Sequence, residues 1–290
     1  MTETTTSYRT DNTLAQAARF LVHSNLLISF SATGIAVATI ILVGLPLDPI
    51  PLFIVFAVTM FVYSFNRIAD FAEDKQNVPD RASFVSQYGK GLLAIGILLY
   101  VVAIVFAVVR GIPAAPAIGL PLAIALLYST VGLKRILLVK NLLVGISWGL
   151  IPTGVGVYYG RFPDPEIIFL AAFTTAILTV AAVVFDIKDI EGDSAEGIQT
   201  VPIVLSPVST RRFAVGAAVV LGLLIARLVL GGRLPMRYLV LVPYAGYVGG
   251  YSLFATRERG PLFYGFVIDI EHTLLALALL GYRFFWPVVS

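Results

Sequence analysis

The chain contains no cysteine. That removes disulfide frameworks and thiolate metal sites together. Only two histidines are present among 290 residues, too few for an imidazole-built zinc site. Charge is scarce as well, at 13% of residues against about 25% in an average soluble domain. What fills the space is apolar: 58% of residues are hydrophobic and the mean hydropathy is +0.92. This composition defines an integral membrane protein in a lipid bilayer, and no nucleic-acid partner is expected. The net charge of +3 says little, because its distribution matters more than its sum.

Nine stretches approach the roughly 20 apolar residues that a span requires. They cover about 15–44, 50–68, 91–110, 114–132, 141–160, 165–186, 210–230, 236–255 and 262–286. Gly and Pro punctuate several of the joins, as at Gly111-Ile112-Pro113 and Gly260-Pro261. The stretches are too long and continuous for barrel strands, so the expected class is all-α. The expectation is a polytopic protein of nine transmembrane helices around a central lipid-accessible cavity, in one domain over 1–290 with a polar tail at 1–13. The first stretch exceeds a signal-peptide core and reads as a retained span. With nine spans, 14 of the 20 Lys and Arg residues fall on the side of the N-terminus and 6 on the other. That bias predicts a cytoplasmic N-terminus in a multi-pass cell-membrane protein.

The few acids are not scattered. Nine of 17 lie in two short runs, NRIADFAEDKQNVPDR and DIKDIEGDSAEG. Asn66, Asp70 and Asp74 are spaced i, i+4, i+8; Asp186, Asp189 and Asp193 are spaced i, i+3, i+7. Each set falls on one helical face. Carboxylates on one face repel unless a cation lies between them, and Mg²⁺ binds through a few carboxylates plus substrate phosphates. Six oxygen ligands suit two Mg²⁺ ions bridging a diphosphate, with Asp70, Asp74, Asp186 and Asp189 at the chemistry. Both runs follow even-numbered spans, so both face the cytoplasm, together with Arg81, Lys134, Arg135 and Lys140. Such a site, walled by apolar side chains, would ionise an allylic diphosphate and shield the cation from water. The bland alternative is that acids at helix ends are simply solvated.

At these residues the chain resembles the UbiA superfamily of intramembrane prenyltransferases. Asn66, Asp70 and Asp74 match its N-x-x-x-D-x-x-x-D motif, and Asp186, Asp189 and Asp193 match its second aspartate motif. Tyr128 and Ser129, followed by Lys134 and Arg135, resemble the loop between helices 4 and 5. Asn77 to Arg81 resembles the N-x-P-x-R that trails the first motif. The resemblance implies nine helices and Mg²⁺-dependent transfer of an isoprenyl group from a prenyl diphosphate donor to a hydrophobic acceptor: a quinone-precursor ring, a lipid or a carotenoid. It implies diphosphate or substrate contacts at Asn66, Arg81, Tyr128, Ser129, Lys134 and Arg135. Arg67 directly after Asn66, and Ala-Ser-Phe after Arg81, depart from common family patterns. A cation-coupled transporter and an inactive lipid-binding relative are the competing readings.

Other polar residues lie at membrane depth, where they are costly. Asn25 either lines the substrate cavity or bonds a neighbouring helix. Asp269 and His272 share a face; they either orient an acceptor hydroxyl or pair with each other, and pairing is the favoured expectation. Two loops, Lys75 to Lys90 and Ser194 to Pro207, are expected to close over the site when substrate binds.

Overall fold

The structure is a computed structural model that describes residues 16–71, 75, 78–113, 115–124, 136–195, 197–260 and 262–285. Among these residues the chain is helical, and no strand occurs. A short helix α1 (16–23) leads into α2 (Leu26–Val43), followed by α3 (Pro49–Ala69) and α4 (Pro79–Val109). A 3₁₀ turn, Ala115–Gly119, opens the fourth apolar stretch, which is helical again at 120–124. Then come α5 (Val139–Tyr158), α6 (Pro165–Ala195), the short α7 (Val201–Leu205) and α8 (Pro207–Leu230). A 3₁₀ segment, Met236–Val240, precedes α9 (Leu241–Phe254). The last stretch enters as a π-helix, Phe263–Ile268, and continues as α10 (Glu271–Phe285).

Seven helices among the described residues are long and apolar enough to cross a membrane. Eight of the nine expected stretches coincide with helix over most of their length. The fourth is described only in its first half, and the eighth joins a 3₁₀ segment to the 14-residue α9. The protein is therefore a multi-pass, all-helical membrane protein.

Helix α2 is the hub. It is apolar all round, 83% of it is buried, and it packs on α3, α5 and α10. A helix without a polar face belongs inside a bundle. The outer helices bury one stripe and turn the other to lipid: in α4, Ala82, Val85, Gly89, Gly96, Tyr100, Ala103 and Ala107 are buried, while Leu98, Val105 and Val109 are exposed. Lipid is as apolar as leucine, so close helix contact depends on small residues. In Gly145-x-x-x-Gly149 a Cβ at Gly145 would stand 2.4 Å from the Thr175 carbonyl oxygen, and one at Gly149 2.9 Å from that of Ala171. These glycines let α5 lie against α6, the most extensive helix pair in the bundle.

Three expectations change. The first span is broken: Asn25 takes φ 64° between α1 and α2, a left-handed conformation that Asn tolerates. The expected loop from Lys75 to Lys90 is instead helix from Pro79 onward. Pro79 begins α4 and Asp80 sits in its first turn, both favourable at a helix start, so α4 begins twelve residues before the apolar stretch. Likewise α6 does not stop at residue 186 but carries the second acidic run to Ala195, and the loop after it contains α7.

Candidate functional site

The second acidic run is built by the meeting of α6 with the start of α5. Asp186 and Asp193 are two turns apart on one face, and both are buried. Between them lies the Lys140 ammonium, 2.9 Å from Asp186 Oδ1 and 3.1 Å from Asp193 Oδ2. Asn141 Nδ2 donates to the other Asp186 oxygen at 2.9 Å. The i, i+7 spacing therefore does gather two carboxylates around one cation. Asp189 is half-buried and pairs at 2.6 Å with Lys188, whose ammonium also lies 5.8 Å from the Phe185 ring centroid. The loop after α9 is tied to the same run, since Arg257 ion-pairs with Glu191 and the Tyr264 hydroxyl donates to the Thr256 carbonyl at 2.9 Å. In that loop Glu258 is held below its ordinary pKa by its own backbone N–H and by the Thr256 hydroxyl.

The first run lies at the end of α3. Asn66 is in the last turn and Asp70 caps it, its N–H donating to the Asn66 carbonyl at 2.8 Å. The Asn66 side-chain oxygen is buried with no hydrogen-bond partner among the described residues. Arg67, which departs from the family pattern, lies 5.9 Å from the Tyr63 ring centroid. Arg81 is half-buried in the first turn of α4. Asp74, Asn77, Tyr128, Ser129, Lys134 and Arg135 lie outside the described residues.

One residue registers both runs. The cations that act electrostatically on Asp269 are Arg67 and Arg81, beside the first run, and Lys188, within the second. The ends of α3, α4 and α6 thus gather around the turn before α10. Asn25 serves the same end of the bundle: its Nδ2 donates to Ser64 Oγ on α3 at 3.3 Å, while its Oδ1 is buried without a partner. Helix-to-helix bonding is the observed role of this side chain.

Below the runs the walls become aromatic and apolar. Trp148 on α5 contacts Tyr63 edge-on at 6.5 Å and His272 at 5.2 Å between ring centroids. Trp148 also lines an apolar pocket of about 220 Å³ between α3, α5 and residues 112–121. The pocket follows α3 from Val62, one turn from Asn66, to Pro51 at the far end. The eleven steps from Val62 to Pro51 span about 16 Å at 1.5 Å per residue. Tyr158 closes that end, with its hydroxyl donating to Asp48 at 2.6 Å.

His272 does not pair with Asp269. Its Nε2 lies 3.3 Å from the Tyr244 hydroxyl and its Nδ1 is 3.5 Å from Glu271 Oε1. The reason is rotation: the π-helix and the turn at 269–270 carry the two side chains off a common face. Lys140 and Asn141 were legible as a basic and a polar residue at a span's start, but nothing local marks them as partners of residues 45 and more positions away. The contact of His272 with Tyr244 is also long-range.

Among the described residues no three acidic or histidine side chains form a closed metal cage. An open arrangement is what Mg²⁺ uses when substrate phosphates complete its coordination. Two observations fit a cation here: an ammonium already bridges two buried carboxylates, and the Asn66 oxygen is buried unsatisfied.

A multi-pass helical bundle with polar and acidic runs gathered at one end defines a class of membrane protein, and the comparisons place it further. The model of the UbiA prenyltransferase family matches residues 26–262. The chain belongs to that family. Among solved structures it is similar to a UbiA homologue from Aeropyrum pernix K1 in its apo form, with TM-score 0.65 and 20% identity over 89% of this chain and 98% of that one. A UbiA homologue from Archaeoglobus fulgidus bound to DMAPP and Mg²⁺ aligns with TM-score 0.63 and 13% identity over 90% and 98%. A digeranylgeranylglyceryl phosphate synthase aligns with TM-score 0.55 and 20% identity over 92% and 97%. At these identities the structures speak for the fold. No curated protein sequence matches the chain.

Proposed function

We propose that this chain is a Mg²⁺-dependent prenyltransferase that moves an isoprenyl group from its diphosphate to a hydrophobic acceptor within the membrane, with its site on the cytoplasmic face. Asn66, Asp70 and Asp74 hold the metal from one side; Asp186, Asp189 and Asp193 hold it from the other. Mg²⁺ there neutralises the charge that develops on the leaving diphosphate. The chain's own cations complete that neutralisation: Arg81 and Lys140, with Lys134 and Arg135, which precede α5 in the sequence. Tyr128 and Ser129 contact the donor beside them. Asn25 holds α2 against α3, and its free oxygen faces the donor.

The observation that carries the proposal is the cation bridge at the second run. Lys140 stands between Asp186 and Asp193 in the position a metal would take. A metal held there would take the place of the ammonium, and Lys140 would then be available to phosphate oxygens. The pocket running from Val62 to Pro51 receives the donor's hydrocarbon chain. Its apolar wall keeps water from the carbon that becomes electron-poor, and the faces of Tyr63 and Trp148 stabilise positive charge near its mouth.

The test is release of diphosphate from labelled geranylgeranyl diphosphate by the purified chain, with Mg²⁺ and with EDTA. Mg²⁺-dependent release supports the proposal. Donor binding without release would support the inactive-relative reading, and absence of donor binding would remove both.

A further inference from the structure

The last apolar stretch carries a carboxylate that the reading above leaves without a task. The chain enters as the π-helix Phe263–Ile268, turns at Asp269 and Ile270, and resumes as α10. A π-turn changes the direction in which the following side chains point, and such turns recur at functional sites. This one is pinned from α2. Ser31 Oγ donates to the Asp269 carbonyl. Gly34 lies so close that a Cβ there would stand 2.5 Å from the His272 carbonyl oxygen. The backbone of Asp269 is thus fixed while its side chain stays half-buried. No described residue hydrogen-bonds or ion-pairs its carboxylate. Arg67, Arg81 and Lys188 act on it from a longer range, and it acts on the Tyr63 hydroxyl. An acid at this depth is costly to keep, and the cations that act on this one belong to both runs.

We propose that Asp269 docks the acceptor and takes its proton, so that the acceptor presents a hydroxyl or an N–H to this carboxylate. The inference rests on the prenyl-transfer reading and deepens it. In the transfer, the acceptor oxygen or nitrogen forms a bond to C1 of the prenyl chain. The bond from C1 to the diphosphate oxygen breaks, and its electron pair leaves on the diphosphate. The acceptor's proton passes to Asp269, and nothing is oxidised or reduced. An acceptor whose reacting end carries a carboxylate would meet like charge at Asp269 and is disfavoured. The residue is separate from the donor's ligands: it lies on the element before α10, whereas Asn66 and Asp70 end α3 and the second run lies on α6.

The experiment uses the full chain in detergent, as wild type and as Asp269→Asn. One readout is Mg²⁺-dependent affinity for farnesyl thiodiphosphate, a donor analogue. The other is transfer of labelled geranylgeranyl groups to a lipid extract of the source organism's membranes. The expected result for the variant is analogue affinity within about twofold of wild type and a 10²- to 10⁴-fold loss of transfer, the range of a general base. Transfer close to the wild-type rate overturns the inference. So does a parallel loss of analogue affinity, which would move Asp269 to the diphosphate side. If the variant does not fold, wild type decides the matter alone. Methylating the hydroxyl and amine groups of the extract is expected to abolish acceptance, and undiminished acceptance overturns the inference. Wild type that binds no analogue in Mg²⁺ would instead sink the prenyl-transfer reading, a different failure.

Discussion

Replacing Lys140 with methionine separates its two roles. Its ammonium lies 2.9 Å and 3.1 Å from two carboxylates whose side chains are only 6% and 4% exposed. Methionine keeps the stem and removes the charge. Breaking a buried ion pair by deleting one partner costs about 3–5 kcal/mol, because the remaining charge is left uncompensated. Here two remain, and Asn141 continues to donate to Asp186. The upper part of that range is therefore the expected loss in EDTA. Magnesium should reverse it. In wild type the metal must first displace the ammonium; in Lys140→Met it need not, so its affinity should rise by at least about tenfold, or ~1.4 kcal/mol. Thermal unfolding in detergent across a Mg²⁺ titration reads both numbers, since a ligand that binds only the folded form stabilises it by RT ln(1 + [L]/Kd). Lys140→Arg is the control that keeps the charge. Equal stability of wild type and Lys140→Met in EDTA, with equal response to Mg²⁺, would refute the idea that Lys140 holds the metal's place.

Other outcomes follow from particular contacts. Gly154 lines the apolar pocket and an added Cβ there meets no atom within 4 Å, so Gly154→Phe should fold and shorten the pocket. Its kcat/KM should fall for a twenty-carbon donor relative to a ten-carbon one, measured side by side; an unchanged ratio would place the donor chain elsewhere. Gly145→Val forces a side chain into the α6 backbone and should cost at least about 1–3 kcal/mol of stability, read as a lowered unfolding midpoint. A single cysteine at position 290 of this cysteine-free chain should react with an impermeant thiol reagent only from outside the cell; labelling from the cytoplasm would show that the span count is not nine.

The helices were legible because hydropathy is a sum over about 20 residues and tolerates local detail. The same averaging hid the breaks. The left-handed Asn25 and the π-helix at Phe263–Ile268 are conformations of single turns, and neither leaves a hydropathy signature. The apolar criterion also placed the start of α4 too late, because the first turns of that helix are polar and stand beyond the span. At the site, spacing alone found the face shared by Asp186 and Asp193. It could not find Lys140 as their bridge, since that contact joins residues on separate helices 46 and 53 positions apart. Asp269 and His272 were paired on an assumption of regular helix, and the π-turn undoes it.

The central claim is that the two acidic runs hold one metal-diphosphate group between them. The most direct measurement is the affinity of farnesyl thiodiphosphate, with and without Mg²⁺, for wild type, Asp70→Asn, Asp189→Asn and the double variant. One shared site requires that each single change remove most of the Mg²⁺-dependent affinity and that the double change add little more, because contacting groups are not additive. Mg²⁺-dependent binding that survives in either single variant at the wild-type level, or losses that simply add, would show that the two runs do not share a site.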